Sequence, residues 1–450
     1  MQINDVIAQY HELLTDEIAE EADADMRQKL KERSLYFGDR PLCVVLRPHF
    51  YQQAEWDFMQ QGLNALLTAF ARAHDVCMKD NEHRAKLLLE DYEESLCEID
   101  KDTPLPWSSS RLDTFYVSEE RNLKCVEYNA ETPAGIGYND TLADVFDQLE
   151  PMKRFSEKYN FKPMRSLDTL QDALISAYRE WGGREKPQIA ILDWGDVPTL
   201  NEHEITRIHL EQAGYKTTLA DPRALDYRDG SLMYGDFRID LIYKRVLYSE
   251  LIGRMGVNNN PVLEAVRDKA VYMTNSPSAK LMAKKASLAF LSDEQNSHLF
   301  TSSQQKAIHD YIPWTRVVSE TKSTYNGQEI DLLEFITQNR DRLVLKPNDE
   351  YGGAGVVLGW QCAEDDWQAT LQNAIETPHV VQEKVTLLQR DFPSWINGSL
   401  DISSRYVDAD PYAFNGQDTY GCLTRLSPLA LLNVTAGGGS VVPTYIISDK

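Results

Sequence analysis

The sequence predicts a mixed fold of the α+β or α/β class with more than one domain. Residues 2 to about 33 carry apolar side chains at helical spacing, which predicts a helical N-terminal region. The apolar run LCVVL at 42–46 predicts a buried strand. Residues 188–246 alternate strand, helix and strand, which indicates a small α/β unit with a parallel sheet. A length of 450 residues agrees with about two or three domains.

Charge and composition narrow the classes of partner. The chain has 46 basic and 70 acidic residues and a net charge of −24. A nonspecific nucleic-acid surface needs a basic footprint, and an anionic membrane also favours one. We therefore expect no nucleic-acid partner and no membrane partner, although a local positive pocket for a nucleotide remains compatible with this charge. The hydrophobic content of 42% is enough for a packed core.

Features of secretion and membrane insertion are not seen in the sequence. The first 25 residues lack the basic and apolar regions of a signal peptide, and no apolar run approaches 18 residues. The six cysteines are scattered without a C-x-x-C pair. These observations predict a cytoplasmic protein with free thiols.

Two predicted strands, residues 113–117 and 123–129, carry polar side chains at alternate positions. Arg111 lies two residues before Asp113, so the two share a face if the extended chain begins at Arg111. Glu127 and Asn129 share a face in the second strand. If the strands pair, two carboxylates, one amide and one guanidinium converge. Hard oxygen donors of this kind suit Mg²⁺. An exposed hairpin with solvated charges is the alternative, and this stretch alone does not decide between them.

Residues 342–360 read as a strand, a glycine-rich loop and a second strand. The first strand ends on Lys346, and the loop contains Gly352, Gly353 and Gly355. Backbone N–H groups of such a loop can bind phosphates while the lysine neutralises charge. The spacing fits neither the Walker pattern nor a G-x-G-x-x-G that opens a helix. An ordinary glycine hairpin is the alternative.

Three lysines lie within six residues, at Lys280, Lys284 and Lys285, in an otherwise acidic chain. A phosphate site and a solvated helix face explain them equally well. Residues 379–385 predict a strand with Gln382 and Glu383 at its polar end. Such a strand could bind adenine through its backbone and ribose through Glu383.

Two further candidates lie near the end of the sequence. Arg425 falls in a strand-like run, and Asn433 precedes a second glycine loop at 437–439. Each residue type is common on protein surfaces, so the two positions gain meaning only from the order of all the motifs.

In that order, the motifs R-x-D, E-x-N, IDLIYKRVL, LVLKPNDEYGGAGV, VVQEKV and LTRLS…GGGSVV resemble the circularly permuted ATP-grasp proteins, which include glutathionylspermidine synthase. The acidic and E-x-N elements precede the lysines and the glycine loop, which is the permuted order. The resemblance covers roughly 105 to 450. It implies an ATP-grasp fold in circularly permuted order with a small pre-ATP-grasp α/β domain, which follows the N-terminal helical region that the apolar spacing predicts.

The apolar spacing of the N-terminal region and the resemblance together predict four parts of the chain. They are a mostly helical region at 1–105, the permuted metal-binding part with helices at 106–185, a pre-ATP-grasp-like α/β substrate domain at 186–275, and a nucleotide-binding domain at 276–450.

The family's functional residues map onto the motifs by position. Asp113, Glu127 and Asn129 match the Mg²⁺ ligands. Arg111, Lys346 and Arg425 match catalytic positions, with Arg111 beside the γ-phosphate. The nucleotide positions are Lys280 or Lys285 as the first lysine, Lys346 as the second, Gly352, Gly353 and Gly355 over the phosphates, Gln382 and Glu383 at adenine and ribose, and Asn433 near phosphate or substrate.

The resemblance implies an ATP- and Mg²⁺-dependent ligase that joins a small-molecule carboxylate to an amine through an acyl phosphate. Asp193, Arg245 and the loop from Thr132 to Gly137 are candidates for substrate contact, and a homodimer is a candidate assembly. An ATP-dependent phosphotransferase and a non-catalytic nucleotide-binding protein are the alternatives. The joint presence of the metal, arginine and lysine positions argues against the non-catalytic alternative.

Overall fold

The computed structural model describes residues 2–99, 101, 106–432 and 439–450. Its N-terminal region is mostly helical, as predicted. The elements of this region are α1 (Ile3–Glu12), α2 (Asp16–Glu32), β1 (Tyr36–Phe37), β2 (Arg40–Pro41), β3 (His49–Gln52), α3 (Gln53–Lys79), α4 (Asn81–Ala85) and α5 (Asp91–Ile99). The predicted N-terminal helix is two helices, because the Thr15 hydroxyl caps a new one by accepting a hydrogen bond from the Ile18 N–H.

The apolar run at 42–46 is buried but is not a strand, so that prediction was wrong. Its backbone bonds go to separate partners instead of one neighbouring strand. Leu46 donates to the Pro393 carbonyl, the Val44 N–H donates to the Ser440 hydroxyl, and the Leu42 carbonyl accepts from Val441. Scattered partners satisfy the buried backbone without a ladder.

The predicted hairpin at the centre of the sequence is confirmed. The elements here are β4 (Ser109–Val117), β5 (Asn122–Asn129), α6 (Ile136–Phe146), α7 (Glu150–Ser156), β6 (Tyr159–Pro163) and α8 (Leu167–Trp181). Strands β4 and β5 pair antiparallel, with Arg111 opposite Asn129 and Asp113 opposite Glu127. The register shifts directly after Asp113, which marks a β-bulge.

The predicted α/β unit contains a four-stranded parallel sheet. Its elements are β7 (Ile189–Leu192), α9 (Leu200–Gln212), β8 (Thr217–Ala220), β9 (Leu225–Arg228), β10 (Ser231–Tyr234), β11 (Phe237–Ile239), β12 (Leu241–Lys244), α10 (Tyr248–Met255), α11 (Pro261–Arg267) and β13 (Tyr272–Thr274). The order in the parallel sheet is β13-β12-β7-β8, and β9 to β11 form a separate antiparallel sheet. Helix α9 connects β7 to β8, and helices α10 and α11 connect β12 to β13, as the long crossovers of parallel strands require.

The next part of the chain carries the lysines and the glycine-rich loop. Its elements are α12 (Lys280–Ala283), α13 (Ala286–Ser292), α14 (Ser302–Tyr311), β14 (Thr315–Val317), β15 (Lys322–Tyr325), β16 (Gln328–Asp331), α15 (Leu332–Gln338), β17 (Leu343–Pro347), β18 (Val357–Leu358), α16 (Glu364–Glu376) and β19 (His379–Glu383). Strands β14, β19, β17 and β18 form an antiparallel sheet in that order. The glycine-rich loop joins β17 to β18, as predicted.

The last strands return to the central hairpin. They are β20 (Leu388–Ile396), β21 (Ser399–Val407), β22 (Asp410–Phe414), β23 (Asp418–Ser427), β24 (Ser440–Val442) and β25 (Thr444–Asp449). One sheet has the order β20-β21-β23-β22-β4-β5, with β24 also paired to β23. Strand β25 lies between β3, to which it is parallel, and β6, to which it is antiparallel. Segments far apart in the sequence therefore share two sheets.

Buried apolar side chains from segments far apart in the sequence pack together in the same cores. The largest core includes Tyr10 and Met26 from the N-terminal helices, Phe146 from α6 and Tyr445 from β25. The Tyr445 hydroxyl donates a hydrogen bond to the Ala143 carbonyl at 3.0 Å. Around Trp367, the sheet of β14 and β17–β19 has a separate core. The four-part division predicted for the chain stays a prediction.

The helices and the cysteines can be compared with the predictions of no membrane span and of free thiols. No helix within the described ranges combines the length and apolar character that crossing a membrane requires. All six cysteines are free thiols.

The side chain of Asn275 joins the α/β unit to the central hairpin. Its amide nitrogen donates to the carbonyls of Ser109 (2.7 Å), Ala130 (2.6 Å) and Glu131 (3.2 Å). Its amide oxygen accepts from the Ser108 N–H at 3.1 Å. Asn275 is buried, so these backbone groups have no access to water as a substitute partner.

We predict that Asn275→Ala lowers the free energy of unfolding by about 2–4 kcal/mol, because several buried carbonyl and N–H groups lose their partner at roughly 1–3 kcal/mol each. Urea denaturation followed by circular dichroism measures this. The control is Asn160→Ala, at an exposed asparagine, which we expect to stay within about 0.5 kcal/mol of wild type. Equal effects of the two substitutions would contradict the linking role of Asn275.

Candidate active site

A cavity of about 300 Å³ lies between the central hairpin and the sheet of β17–β19. Side chains from β4, β5, β17 and β23 line it, together with the glycine loop, defined as residues 349–356. The lining includes apolar side chains, charged side chains, and residues of α6 and α9. We call the part lined by Val344, Leu358 and Trp360 the apolar end, and the part lined by Tyr138 and Glu202 the far end. Most of the predicted site residues meet here.

Arg111 and Asp113 form a bidentate ion pair on β4. Arg111 Nε lies 2.8 Å from Asp113 Oδ1, and Arg111 Nη2 lies 3.0 Å from Asp113 Oδ2. The Asn129 amide also donates to Asp113 Oδ1, at 2.8 Å. Burial alone would raise the pKa of Asp113, but Arg111 and Arg425 outweigh it and hold that pKa well below its usual range. Asp113 is therefore a carboxylate at neutral pH.

Arg425 reaches the same group from β23. Its Nη2 atom lies 2.9 Å from Asp113 Oδ2 and 2.8 Å from Asp410 Oδ2, and its Nε atom lies 2.7 Å from Asp408 Oδ2. Burial raises the pKa values of both Asp408 and Asp410. Three buried carboxylates thus surround two guanidinium groups in the middle of the cavity wall.

Sequence reasoning missed Asp408 and Asp410. Their D-A-D spacing places both on one face of an extended chain, which is a local signal of the same kind as R-x-D. The pairing of β22 with β4 brings that face to Asp113. Nothing local in the sequence indicates this pairing.

Lys346 of β17 lines the cavity. Its Nζ atom donates to Gln382 Oε1 at 2.6 Å and to the Val126 carbonyl at 3.2 Å. Val126 is the residue that the β-bulge leaves without a partner across the hairpin. Burial lowers the pKa of Lys346 to about 8, although Glu127 opposes this shift.

Lys285 and Lys280 occupy different places, which separates the two alternatives for the first lysine. Lys285 lines the cavity, where its Nζ atom donates to the Glu350 carbonyl at 2.6 Å and lies 3.2 Å from Glu127 Oε1. Lys280 lies outside the cavity and pairs with Asp349 and Glu131. Of the two alternatives predicted for the first lysine, Lys285 lines the described cavity and Lys280 does not.

The glycine loop covers the cavity at Gly352 and Gly353. Both residues have positive φ angles, of 62° and 78°, which glycine adopts without strain. Gly355 also has a positive φ angle, but it is not one of the described residues that line the cavity. A Cβ at Gly355 would lie 2.6 Å from Pro347 Cγ, so glycine there allows close packing against the end of β17.

The apolar end of the cavity lies beside the predicted adenine strand. Val344, Leu358 and Trp360 line it, together with Gln382 and Glu383 of β19. Gln382 is buried between Lys346 and Thr315, and its amide nitrogen donates to Thr315 Oγ1 at 3.0 Å. Glu383 accepts a hydrogen bond from the Tyr325 hydroxyl at 2.6 Å and reaches the cavity edge.

The far end of the cavity contains Glu202, which sequence reasoning also missed. Its Oε1 atom accepts hydrogen bonds from the N–H groups of Gly135 at 2.7 Å and Gly137 at 3.3 Å. Arg111 Nη1 holds the neighbouring Ala134 carbonyl at 2.9 Å. The start of α6 is thus fixed from both sides of the cavity. No local pattern distinguishes Glu202 from the other acidic residues of α9.

Two suggested substrate contacts lie elsewhere. Within the described cavity lining, neither Asp193 nor Arg245 is present. Asp193 accepts a hydrogen bond from His203 at 2.8 Å, and Arg245 donates to the Pro133 carbonyl. Arg245 therefore supports the loop rather than the cavity surface. Asn433 lies outside the described residues.

Comparison with known proteins identifies the class. The chain belongs to the circularly permuted ATP-grasp type 2 family, which matches residues 115–427. This confirms the family predicted from the motifs and, with it, the permuted ATP-grasp fold.

Three individual proteins show the range of similarity. A putative glutamate–cysteine ligase of Frankia casuarinae is 25% identical over 336 residues, which are 70% of this chain and 36% of that protein. The chain thus spans about a third of that relative. An uncharacterized protein of Mycobacterium leprae is 22% identical over 451 residues, with coverage of 90% and 72%. A glutathione synthetase-like effector of Globodera pallida, solved in its apo form, superposes with a TM-score of 0.61 at 13% identity, covering 96% of this chain and 98% of its own.

We predict a pH dependence of stability that Lys346 causes. Its folded pKa of about 8 lies below the ordinary 10.5, so the penalty for burying the charged amine is full below about pH 8 and falls as the pH rises toward 10.5. The stability of the wild type relative to Lys346→Met should therefore rise by about 2 kcal/mol between pH 7 and pH 9.5. Urea denaturation at both pH values measures it.

The control for this prediction is Lys162→Met, at an exposed lysine of β6. We expect its stability to follow that of the wild type at both pH values. Parallel pH profiles for Lys346→Met and the wild type would show that the buried amine is not the cause.

Proposed function

We propose that this protein is an ATP- and Mg²⁺-dependent ligase that joins a carboxylate to an amine through an acyl phosphate. The observation that supports it most strongly is the convergence of five side chains on one cavity: Arg111, Asp113 and Glu127 from the hairpin, and Lys285 and Lys346 from the lysine-bearing region. Two lysines that face the carboxylates of the hairpin across a covered cavity suit a nucleoside triphosphate with its metal ion.

The nucleotide would lie along the cavity from its apolar end. Val344, Leu358 and Trp360 offer an apolar surface for adenine, and the carboxylate of Glu383 lies at the edge where a ribose could donate hydrogen bonds. Lys346 and Lys285 would neutralise the phosphates. The backbone N–H groups around Gly352 and Gly353 would cover them, since glycine permits close approach of the backbone.

The donor set of the hairpin is of the chemical type that Mg²⁺ binds, and a bound metal ion would replace Arg111 and Arg425 at the Asp113 oxygens. Asp113 and Glu127 face each other in register, and the amide of Asn129 contacts Asp113. In the described residues, no three side chains from His, Cys, Asp and Glu are grouped to hold a metal. Two carboxylates and an amide are hard oxygen donors, and Mg²⁺ usually shares its coordination with water and nucleotide phosphates. When bound, Mg²⁺ neutralises phosphate charge and favours in-line attack.

In the first step a carboxylate oxygen of the substrate attacks the γ-phosphorus of ATP. A new P–O bond forms, the bond to the β-phosphate oxygen breaks, and ADP leaves. Lys285 and Lys346 stabilise charge on the transferring group, and Arg111 would bind the attacking carboxylate from the hairpin side. The glycine loop limits the access of water to the acyl phosphate.

In the second step a neutral amine attacks the acyl carbon. The C–N bond forms, inorganic phosphate leaves, and the amine proton goes to the phosphate or to a nearby base. We place the second substrate at the far end of the cavity, beside Glu202 and Tyr138. The name of the Frankia relative supports testing amino acids and small peptides first.

We predict that Glu127→Ala lowers ATP turnover by at least about 100-fold, because it removes one metal-binding carboxylate and the partner of Lys285. A coupled assay of ADP release measures turnover, and circular dichroism verifies folding. The matched control is Glu120→Ala, at an exposed carboxylate in the turn of the same hairpin, which should retain wild-type turnover. Wild-type turnover in Glu127→Ala would refute the metal assignment.

The experiment that tests the proposed function is ADP release by the purified protein with Mg²⁺ and ATP. Pools of amino acids, small peptides and polyamines serve as substrates, singly and in pairs. We expect release to depend on one acid and one amine together, with a product mass equal to their sum minus water. Release with one substrate and a product heavier by one phosphoryl group would instead establish a phosphotransferase. Failure to bind ATP in calorimetry would refute the nucleotide site.

A further inference from the structure

A buried ion-pair network lies beside the cavity but outside it. Three carboxylates and three lysines form it: Glu93, Glu131 and Asp349, with Lys244, Lys280 and Lys284. All are buried except Asp349, whose side chain is 29% exposed and belongs to the glycine loop. With every member ionised the network is neutral, which is what burial of six charges requires.

Within this network, Lys280 joins two segments that both border the cavity. Its Nζ atom lies 2.6 Å from Asp349 Oδ1 and 3.0 Å from Glu131 Oε2. Asp349 begins the glycine loop, and Glu131 begins the 131–137 segment that leads into α6. Lys284, on the same face of the network, pairs with Glu93 at 2.7 Å and with Asp349 at 3.4 Å, but no ion pair joins it to Glu131 among the described contacts.

The glycine loop has one fixed end and one exposed part. Asn348, directly before it, accepts a hydrogen bond from the Ala286 N–H at 2.8 Å and donates to the Leu87 carbonyl at 2.9 Å. Beyond Asp349 the loop is exposed at Glu350 and Tyr351. The Glu350 carbonyl accepts from Lys285 Nζ. A phosphate that binds Lys285 competes for that bond, so the loop is affected at the residue next to Asp349.

The 131–137 segment connects Glu131 to both sides of the far end of the cavity. Glu131 Oε1 accepts from the Tyr248 N–H at 2.6 Å, which fixes its other oxygen toward Lys280. Three residues on, the Ala134 carbonyl holds Arg111, and the Gly135 N–H holds Glu202. The position of Glu131 therefore affects the groups proposed to contact the second substrate.

We propose that Lys280 is a positioning residue that couples the glycine loop to the 131–137 segment, so that nucleotide binding orders the far end of the cavity. A buried cation cannot lose one carboxylate without a large electrostatic cost, so a displacement of Asp349 is transmitted to Glu131. This inference rests on the proposed function, since it requires a nucleotide at Lys285 and Lys346. It also gives Lys280 a role other than the phosphate contact expected from its position in the sequence.

The test is hydrogen–deuterium exchange of the full chain, detected by mass spectrometry, with and without Mg²⁺ and the non-hydrolysable ATP analogue AMP-PNP. In the wild type we expect the analogue to slow exchange at least about threefold in both the glycine loop and the 131–137 segment. In Lys280→Met the effect on the glycine loop should remain and the effect on the 131–137 segment should disappear. Lys280→Arg, which keeps the charge, should restore it.

Lys284→Met is the matched control, since it removes a buried lysine of the same network that also contacts Asp349. It should retain the analogue's effect on both segments. If Lys280→Met does not fold, Asp349→Asn removes the partly exposed end of the same link and should give the same loss. A purely structural role for Lys280 would lower the melting temperature and leave the analogue-dependent difference in the 131–137 segment unchanged.

Three results would overturn the inference. One is an unchanged response of the 131–137 segment in Lys280→Met or Asp349→Asn. The second is a wild type in which only the glycine loop responds, and that result leaves the proposed function intact. The third is the absence of any response together with no analogue binding in calorimetry, which refutes the proposed function and this inference with it.

Discussion

Strand β4 is hydrogen-bonded on both edges, to β5 on one side and to β22 on the other, and the charged groups of the cavity take their places from this pairing. The register sets Arg111 opposite Asn129 on one edge and opposite Tyr412 on the other. A slip of one residue would turn alternate side chains to the other face. Asp113 would then leave the cavity, and Arg425 of β23 would lose one of its carboxylates.

Burial disfavours the charged form of two groups that line the same cavity, but only Asp113 has oppositely charged hydrogen-bond partners that outweigh this effect. Asp113 stays charged because two guanidinium groups compensate it. Among the described residues, the hydrogen-bond partners of Lys346 are the neutral oxygens of Gln382 and Val126, so burial lowers its pKa. A buried charged amine of this kind lowers the stability of the free protein, and a bound anion would compensate that electrostatic cost. Part of the affinity for the nucleotide that we propose would therefore come from an electrostatic cost that the free protein already carries.

The predictable parts of the site are those that local spacing encodes. Alternation of polar residues identified the hairpin, and glycine content identified the loop, because both depend on neighbours in the sequence. Asp408, Asp410 and Glu202 reach the cavity through contacts between distant segments, so spacing shows at most that two of them share a face. Lys280 and Lys285 could not be distinguished from the sequence. A break between α12 and α13 places their side chains in different surroundings, and tertiary packing rather than local sequence decides where that break falls.

The position of β25 has a consequence for synthesis of the chain. This strand is the middle strand between β3 and β6, and its register joins Thr444 to His49, about 400 residues earlier. At roughly 5–20 residues per second, the ribosome needs about 20–80 s to cover that distance. During this interval β3 lacks its partner, and β6, which is synthesised later, lacks the same partner for a shorter time. Exposed strand edges are templates for intermolecular pairing. The nascent chain therefore exposes strand edges that the completed fold covers.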